Sequence, residues 1–175
     1  MDSTELDRFE AVVMPHLDSA YAFARYLARD PHDAEDVVQE AYLRALRYFG
    51  GYRGGDARAW VLAIVRNTFH TWRRRERPAV DVVEFDERSH SDAAAGDHPA
   101  ALLDAALDRE SLERALDLLP TEFREVLVLR ELEGMSYKEI GAVIGVPAGT
   151  VMSRLARARE RLRRALLSPR DAERP

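Results

Sequence analysis

The chain has 175 residues, 26 Lys and Arg against 31 Asp and Glu, a formal net charge of −5, and no cysteine. That length suits one domain or two small ones, and the lack of cysteine excludes disulfides, thiolate metal sites and a cysteine nucleophile. No apolar run is long enough to span a bilayer and no basic-then-apolar leader opens the sequence, so a cytoplasmic location is the default expectation.

Helical periodicity dominates and no strand alternation stands out, so the expected fold is all-α. Ser3 can cap a first helix running to Met14, and Pro15 can open a second whose apolar side is Leu17, Tyr21, Ala24, Leu27 and Ala28. A break at Asp30-Pro31-His32-Asp33 precedes a third helix over Ala34 to Phe49, with Val38, Ala41, Tyr42, Ala45 and Phe49 facing a core. Asp36, Gln39 and Glu40 cluster on its other side, where they could be a solvated acidic face or a docking surface. Four glycines then surround Tyr52 and Arg53 in GGYRGG. That spacing fits neither the dinucleotide fingerprint nor the P-loop. A mobile loop with an aromatic and a cation at its tip suits a single strand, the ring for a base and the guanidinium for its backbone.

A fourth helix is expected from Ala57 to Arg75, with Trp60, Val61, Ile64, Thr68 and Trp72 inward and Arg66, Asn67, His70, Thr71, Arg73, Arg74 and Arg75 along its second half. Basic residues suit a helix C-terminus by dipole alone, but four arginines around Trp72 exceed that need. Residues 79–100, carrying DERSHSDAAAGDHP, are polar, acidic and aperiodic, and read as a flexible linker between domains at 1–78 and 101–170. His90 and His98 lie there without metal-ligand spacing. The second unit starts with a stripe of Leu112, Ala115, Leu116 and Leu119. Pro120 opens a helix with Phe123, Val126, Leu127 and Leu132 inward, closed by Gly134.

The stretch Met135 to Leu166 then reads as two helices around a tight turn. Ser136 and Glu139 form a capping box, Ile140, Val143 and Ile144 share a face, and Gly141 allows another helix to approach. Gly145 suits a left-handed helix end, and Thr150 is a candidate N-cap for the second helix. Val151, Leu155, Ala158, Leu162 and Leu166 make that helix's buried stripe, opposite Ser153, Arg154, Arg157, Arg161 and Arg164. The pattern fits a DNA-reading helix-turn-helix, with an ordinary helical hairpin as the alternative. The charge agrees: from Thr150 to Arg170 only Glu160 opposes the arginines, and from Arg66 to Arg77 only Glu76 does. Two basic surfaces and separate acidic ones are implied.

Three motifs in series, DAEDVVQEAYLRAL, YRGGDARAWVLAIVRNT and LPTEFREVLVLRELEGMSYKEIGAVIGVPAGTVMSRLARARERLR, resemble the two-domain extracytoplasmic-function sigma factors of the bacterial sigma-70 family. The resemblance covers nearly the whole chain in the right order. It implies core RNA polymerase as partner, gripped at its clamp coiled coil and flap, with promoter DNA bound as duplex and as melted non-template strand. It also implies an anti-sigma factor as a further partner and no cofactor, catalytic residue or metal. Asp36, Gln39 and Glu40 match the polymerase-docking positions. Tyr52, Arg53 and Trp60 match the part that holds a flipped base, and Asn67, His70, Thr71, Arg73 and Arg74 match the minus-ten helix. Thr150, Ser153, Arg154, Arg157 and Arg161 fall on the minus-thirty-five helix. Met152 stands where the family often has a basic residue, and Ala156 where a bulkier one can occur, so promoter preference is expected to differ. Three rivals remain on sequence alone. They are a helix-turn-helix regulator acting without polymerase, a helical metal-dependent hydrolase using Asp33, Asp36 and Glu40, and a sigma-like decoy that sequesters an anti-sigma factor.

Overall fold

A computed structural model describes residues 3–76 and 109–167, and the expected linker at 79–100 lies outside the described residues. The N-terminal unit comprises α1 (Ser3–Val13), α2 (Leu17–Ala28), α3 (Pro31–Tyr48) and α4 (Ala57–Glu76). A 3-10 turn at Met14–His16 joins α1 to α2, with Pro15 at its start. The third helix begins three residues before the expected Ala34. Pro31 takes the first helical position, where its lack of an N–H costs nothing. The Asp30 side chain accepts from the backbone N–H groups of His32 at 2.8 Å and Asp33 at 3.1 Å. These bonds satisfy donors that would otherwise be orphaned.

Packing corrects the second helix. Ala20, Phe23, Ala24 and Leu27 are its buried residues, whereas Leu17 and Tyr21 are each 37% exposed. Small residues at Ala20 and Ala24 let a neighbouring helix come close, and Phe23 fills the core beside them. The third helix buries Val37, Val38, Ala41 and Ala45, and Phe49 follows it into the core. Tyr42 is half-buried, with its hydroxyl donating to the Val13 carbonyl at 3.4 Å.

The C-terminal unit comprises α5 (Arg109–Asp117), α6 (Thr121–Leu127), α7 (Tyr137–Ile144) and α8 (Ala148–Leu167). After α6 the chain widens into a π turn at Val128–Leu132. Phe123, Val126 and Leu127 face inward as expected, but Leu132 is 52% exposed, because the wide turn rotates it off the α6 stripe. Gly134 closes the segment at φ +64°.

The two units pack against each other, α7 on α4 and α6 on α2. One continuous core results among the described residues. Packing on two sides explains α4, which buries Ala59, Val61, Leu62, Val65, Thr68 and Phe69 rather than a single stripe.

Candidate nucleic-acid interface

The helix-turn-helix is built locally. Glu139 donates its N–H to Ser136 Oγ at 3.2 Å, and Ser136 returns its N–H to Glu139 Oε2 at 2.6 Å. The Ser136 backbone N–H first, and the Ser136 hydroxyl next, hold the Glu139 carboxyl below the usual glutamate range. The helix ends at Gly145 with φ +77°, a conformation that costs a side-chain-free residue little. The N–H groups of Gly145 and Val146 both donate to the Gly141 carbonyl, at 2.8 and 3.1 Å. A Cβ on Gly141 would sit 2.6 Å from the Val146 carbonyl oxygen. The glycine is therefore required by the turn's own backbone folding back on α7, not by another helix as the sequence suggested.

The second helix starts at Ala148, so Thr150 lies inside its first turn and is not the N-cap. Its N–H donates to the Pro147 carbonyl at 3.0 Å, as a first-turn residue's does. Val151, Leu155, Ala158 and Leu162 are buried, while Leu166 is half-buried. The opposite face leaves Ser153 exposed and Arg154 and Arg157 partly so. Arg161 is exposed and lies over the Phe123 ring at 4.8 Å. Arg163 and Arg164 both pair with Glu160, at 3.0 and 2.8 Å, and Arg159 pairs with Glu131 at 2.8 Å. Arg159, Arg163 and Arg164 thus have carboxylate partners, and Ser153, Arg154 and Arg157 lie on the face of the first half of α8 opposite its buried stripe. Met152, 45% exposed, sits among them.

The glycine-rich loop departs from expectation. Gly54 and Gly55 take φ +90° and +98°. Tyr52 does not stand at a tip. Its ring stacks on Phe49 at 5.8 Å and tilts against Trp60 at 5.1 Å, and its hydroxyl donates to the Gly55 carbonyl at 2.8 Å. Tyr52 and Trp60 are both half-buried by this cluster, so of the Tyr52 and Arg53 pair only Arg53 is exposed.

Along α4 the predicted DNA-facing residues divide. Asn67 and Arg74 are exposed, and Thr71 is half-buried with its hydroxyl donating to the Asn67 carbonyl at 2.9 Å. His70 and Arg73 instead face the C-terminal unit. His70 Nε2 lies 3.3 Å from Glu125 Oε2, and Arg73 donates to Thr121 Oγ1 at 2.6 Å. Arg66 joins them with two parallel bonds to Glu125, at 2.8 and 2.9 Å.

On the far side of the N-terminal unit, Asp36, Gln39 and Glu40 are exposed on α3 and line a groove with Leu43, Trp72 and Arg75. Leu43 is 58% exposed in the middle of that polar surface. Glu40 is held by Arg44 at 2.7 Å. Among the described residues no group of three His, Asp or Glu side chains is placed to hold a metal ion, Asp33, Asp36 and Glu40 included.

Two family models match along the chain, sigma-70 region 2 over residues 12–78 and sigma-70 region 4 over residues 109–162. The RNA polymerase sigma-H factor of Pseudomonas aeruginosa is 33% identical, over 90% of this chain and 86% of that one. The chain belongs to the extracytoplasmic-function sigma factors of the sigma-70 family. A second relative, ECF RNA polymerase sigma factor SigE of Mycolicibacterium smegmatis, is 36% identical over 93% of this chain, which spans 63% of that protein's length. The sigma factor RpoE of Bartonella quintana, solved with the anti-sigma factor NepR, superposes with a TM-score of 0.71 at 29% identity, over 93% of this chain and 98% of that one. CnrH, solved with the cytosolic domain of CnrY, gives 0.60 at 27% identity, over 90% and 86%.

Sequence reasoning missed the residues that join the two units of this sigma factor. Arg124 and Glu125 are both fully buried. Arg124 donates to the Leu116, Leu119, Tyr26 and Leu27 carbonyls at 2.9, 2.6, 3.0 and 3.3 Å. Burial, with Arg29 nearby, pushes its guanidinium down to about 10, so it stays cationic at neutral pH. Burial alone would push Glu125 up, but its bonds with His70 and Arg66 outweigh that and hold it below the usual carboxylate range. The one trace in the sequence is an adjacent opposite-charge pair inside the apolar run FREVLVL.

Proposed function

We propose that the chain directs promoter-specific transcription initiation in the cytoplasm by binding alone, with three surfaces in separate roles. Asp36, Gln39 and Glu40 dock the N-terminal unit on a basic part of core RNA polymerase, the clamp coiled coil, with Leu43 as an apolar anchor among polar contacts. Arg53, Asn67, Thr71 and Arg74, with His70 and Arg73 once exposed, hold the minus-ten region, and Tyr52 and Trp60 support a captured base. Ser153, Arg154 and Arg157 read the minus-thirty-five duplex from the start of α8. Each good bidentate pair there contributes about 1–3 kcal/mol of discrimination. Thr150 and Arg161 flank that set, and the polymerase flap carries the C-terminal unit.

The observation that carries this reading is the α7–turn–α8 geometry on the same chain as an acidic α3 face. A duplex-binding regulator uses the first feature and has no need of the second. The solved relative in complex with the anti-sigma factor NepR makes such an inhibitor a natural further partner. Run-off transcription with purified core polymerase on a genomic library tests the proposal. Sequence-specific transcripts are expected. Duplex binding with no transcript would instead support a regulator, and inhibitor binding with no transcript a decoy.

A further inference from the structure

The surface of α4 that carries Arg66, His70 and Arg73 is not open in this structure. It is covered by α6 of the C-terminal unit, and the group at its centre is a carboxylate. Glu125 receives two parallel guanidinium bonds from Arg66 and sits against His70, while Arg73 reaches Thr121 one helical turn earlier. A bidentate arginine with a second side-chain nitrogen beside it is an arrangement that also binds a phosphate. Among the described residues, the hydrogen bonds of the Glu125 carboxylate all go to α4. Three contacts reinforce the same closure. Arg124 spans to the Tyr26 and Leu27 carbonyls, Arg29 donates to the Leu119 carbonyl at 3.3 Å, and Arg58 donates to the Glu133 carbonyl at 2.9 Å.

We propose that Glu125 is an internal phosphate mimic that latches the free chain shut, covering the His70 and Arg73 part of the DNA-facing side of α4 with the chain's own C-terminal unit. The proposal rests on the reading of α4 as a minus-ten helix. Geometry makes opening obligatory. Elements centred at minus ten and minus thirty-five lie about 25 base pairs apart, or about 85 Å at about 3.4 Å per pair. A compact chain of this length has a radius of gyration of about 16 Å and is about 40 Å across. The closed chain cannot touch both elements. The intervening residues 77–108, which at full extension cover at most about 110 Å, permit the separation. Polymerase that holds the two units apart therefore also removes Glu125 from Arg66 and His70, and nucleic-acid phosphate takes its place.

The test uses the full-length chain without polymerase. Small-angle scattering measures its size, and fluorescence anisotropy at fixed salt measures binding to a mixed-sequence single-stranded DNA. Wild type should be compact. Glu125→Gln should be expanded and bind the DNA about ten-fold or more tighter. Glu110→Gln makes the same charge change on an exposed α5 residue and should alter neither size nor affinity. If Glu125→Gln loses helix content, the pair Arg66→Glu with Glu125→Arg replaces it, and recovery of the compact size by that double variant supports the latch. An expanded wild type, a Glu125→Gln chain matching wild type in size and affinity, or a charge swap that stays open would overturn it. Run-off transcription with core polymerase is scored separately, so loss of the sigma reading and loss of the latch are distinguishable.

Discussion

Arg124 offers the sharpest test of how this fold is held. It is a fully buried cation whose bonds all go to carbonyls, and three of those carbonyls, Tyr26, Leu27 and Leu116, lie in the last turns of α2 and α5. Helix ends leave their final carbonyls without intrahelical donors and carry partial negative charge, so one guanidinium satisfies two such ends together. Arg124→Met keeps most of the volume and removes every donor. Hydrogen bonds from a charged donor contribute about 1.5–3 kcal/mol each, so four would sum to about 6–12 kcal/mol if nothing opposed them. The guanidinium's own desolvation does oppose them, as its lowered affinity for a proton shows. A net loss of about 3–5 kcal/mol is expected, the range for breaking one side of a buried charged network. With a urea slope of about 2 kcal/mol/M, the unfolding midpoint should fall by about 2 M. Urea titration of the full chain by far-UV circular dichroism measures this. Arg124→Lys should fall between the two, because one ammonium cannot reach four carbonyls. A Met variant within about 1 kcal/mol of wild type would show that the carbonyls find other partners and that this account of the joint is wrong.

Four further outcomes are expected. Gly141→Ala would gain about 0.5–1 kcal/mol of helix propensity but forces the Val146 carbonyl to move, which costs about 1–3 kcal/mol. A lower melting temperature with weaker minus-thirty-five duplex binding is expected, and a higher one would refute the close approach. Lysines at Gln39 and Glu40 should block holoenzyme assembly in gel filtration while leaving the circular dichroism spectrum unchanged. Arg154→Ala and Arg157→Ala should each weaken promoter duplex binding by about 1–3 kcal/mol where a base contact is lost, or lower the salt slope by about 1 where a phosphate contact is lost, with polymerase binding intact. Finally, the Glu125 carboxyl is depressed in the folded chain, so its contribution is complete above the ordinary glutamate value of 4.5 and disappears as pH falls below it. Scattering across that acid range should show wild type expanding toward the size of Glu125→Gln, and a wild type that stays compact through it would contradict the ion-paired state.

The parts of this molecule that were legible in its sequence are those decided within a few residues. The Ser136 and Glu139 capping box, the left-handed Gly145 and the α8 stripe from Val151 to Leu162 all stand as read, because each depends on spacing along one or two helical turns. The failures share a different cause. In α2, Ala24 and Leu27 are buried as the spacing predicts, but Ala20 and Phe23 join them in place of Leu17 and Tyr21, because both sets have helical spacing and only the neighbouring helix selects between them. In α4, the spacing points to one stripe, of which Val61 and Thr68 are buried, whereas two layers cover the helix and bury Leu62, Val65 and Phe69 as well. The glycines around Tyr52 point to a solvent-exposed tip, yet those glycines let the chain turn sharply enough to lay the ring on Phe49.

The chemistry of the joint between the units bears on why Arg124 and Glu125 stand where an apolar pair would pack more simply. Replacing a buried charged network by apolar residues is often neutral or stabilising, so stability alone does not account for it. An apolar joint, once buried, has no competitor except another apolar surface. The cross-unit bonds here run from Arg66, His70, Arg73 and Arg58 to a carboxylate, a hydroxyl and a backbone carbonyl, all oxygen acceptors. Phosphate offers the same atoms with more charge. The donors on α4 can therefore exchange one set of acceptors for the other without passing through a state in which they are buried and unsatisfied. That exchange lets a single helix serve both a closed chain and an open one. It also ties the two states to ionic strength, because screening by salt weakens the exposed phosphate contacts more than the enclosed Glu125 pair.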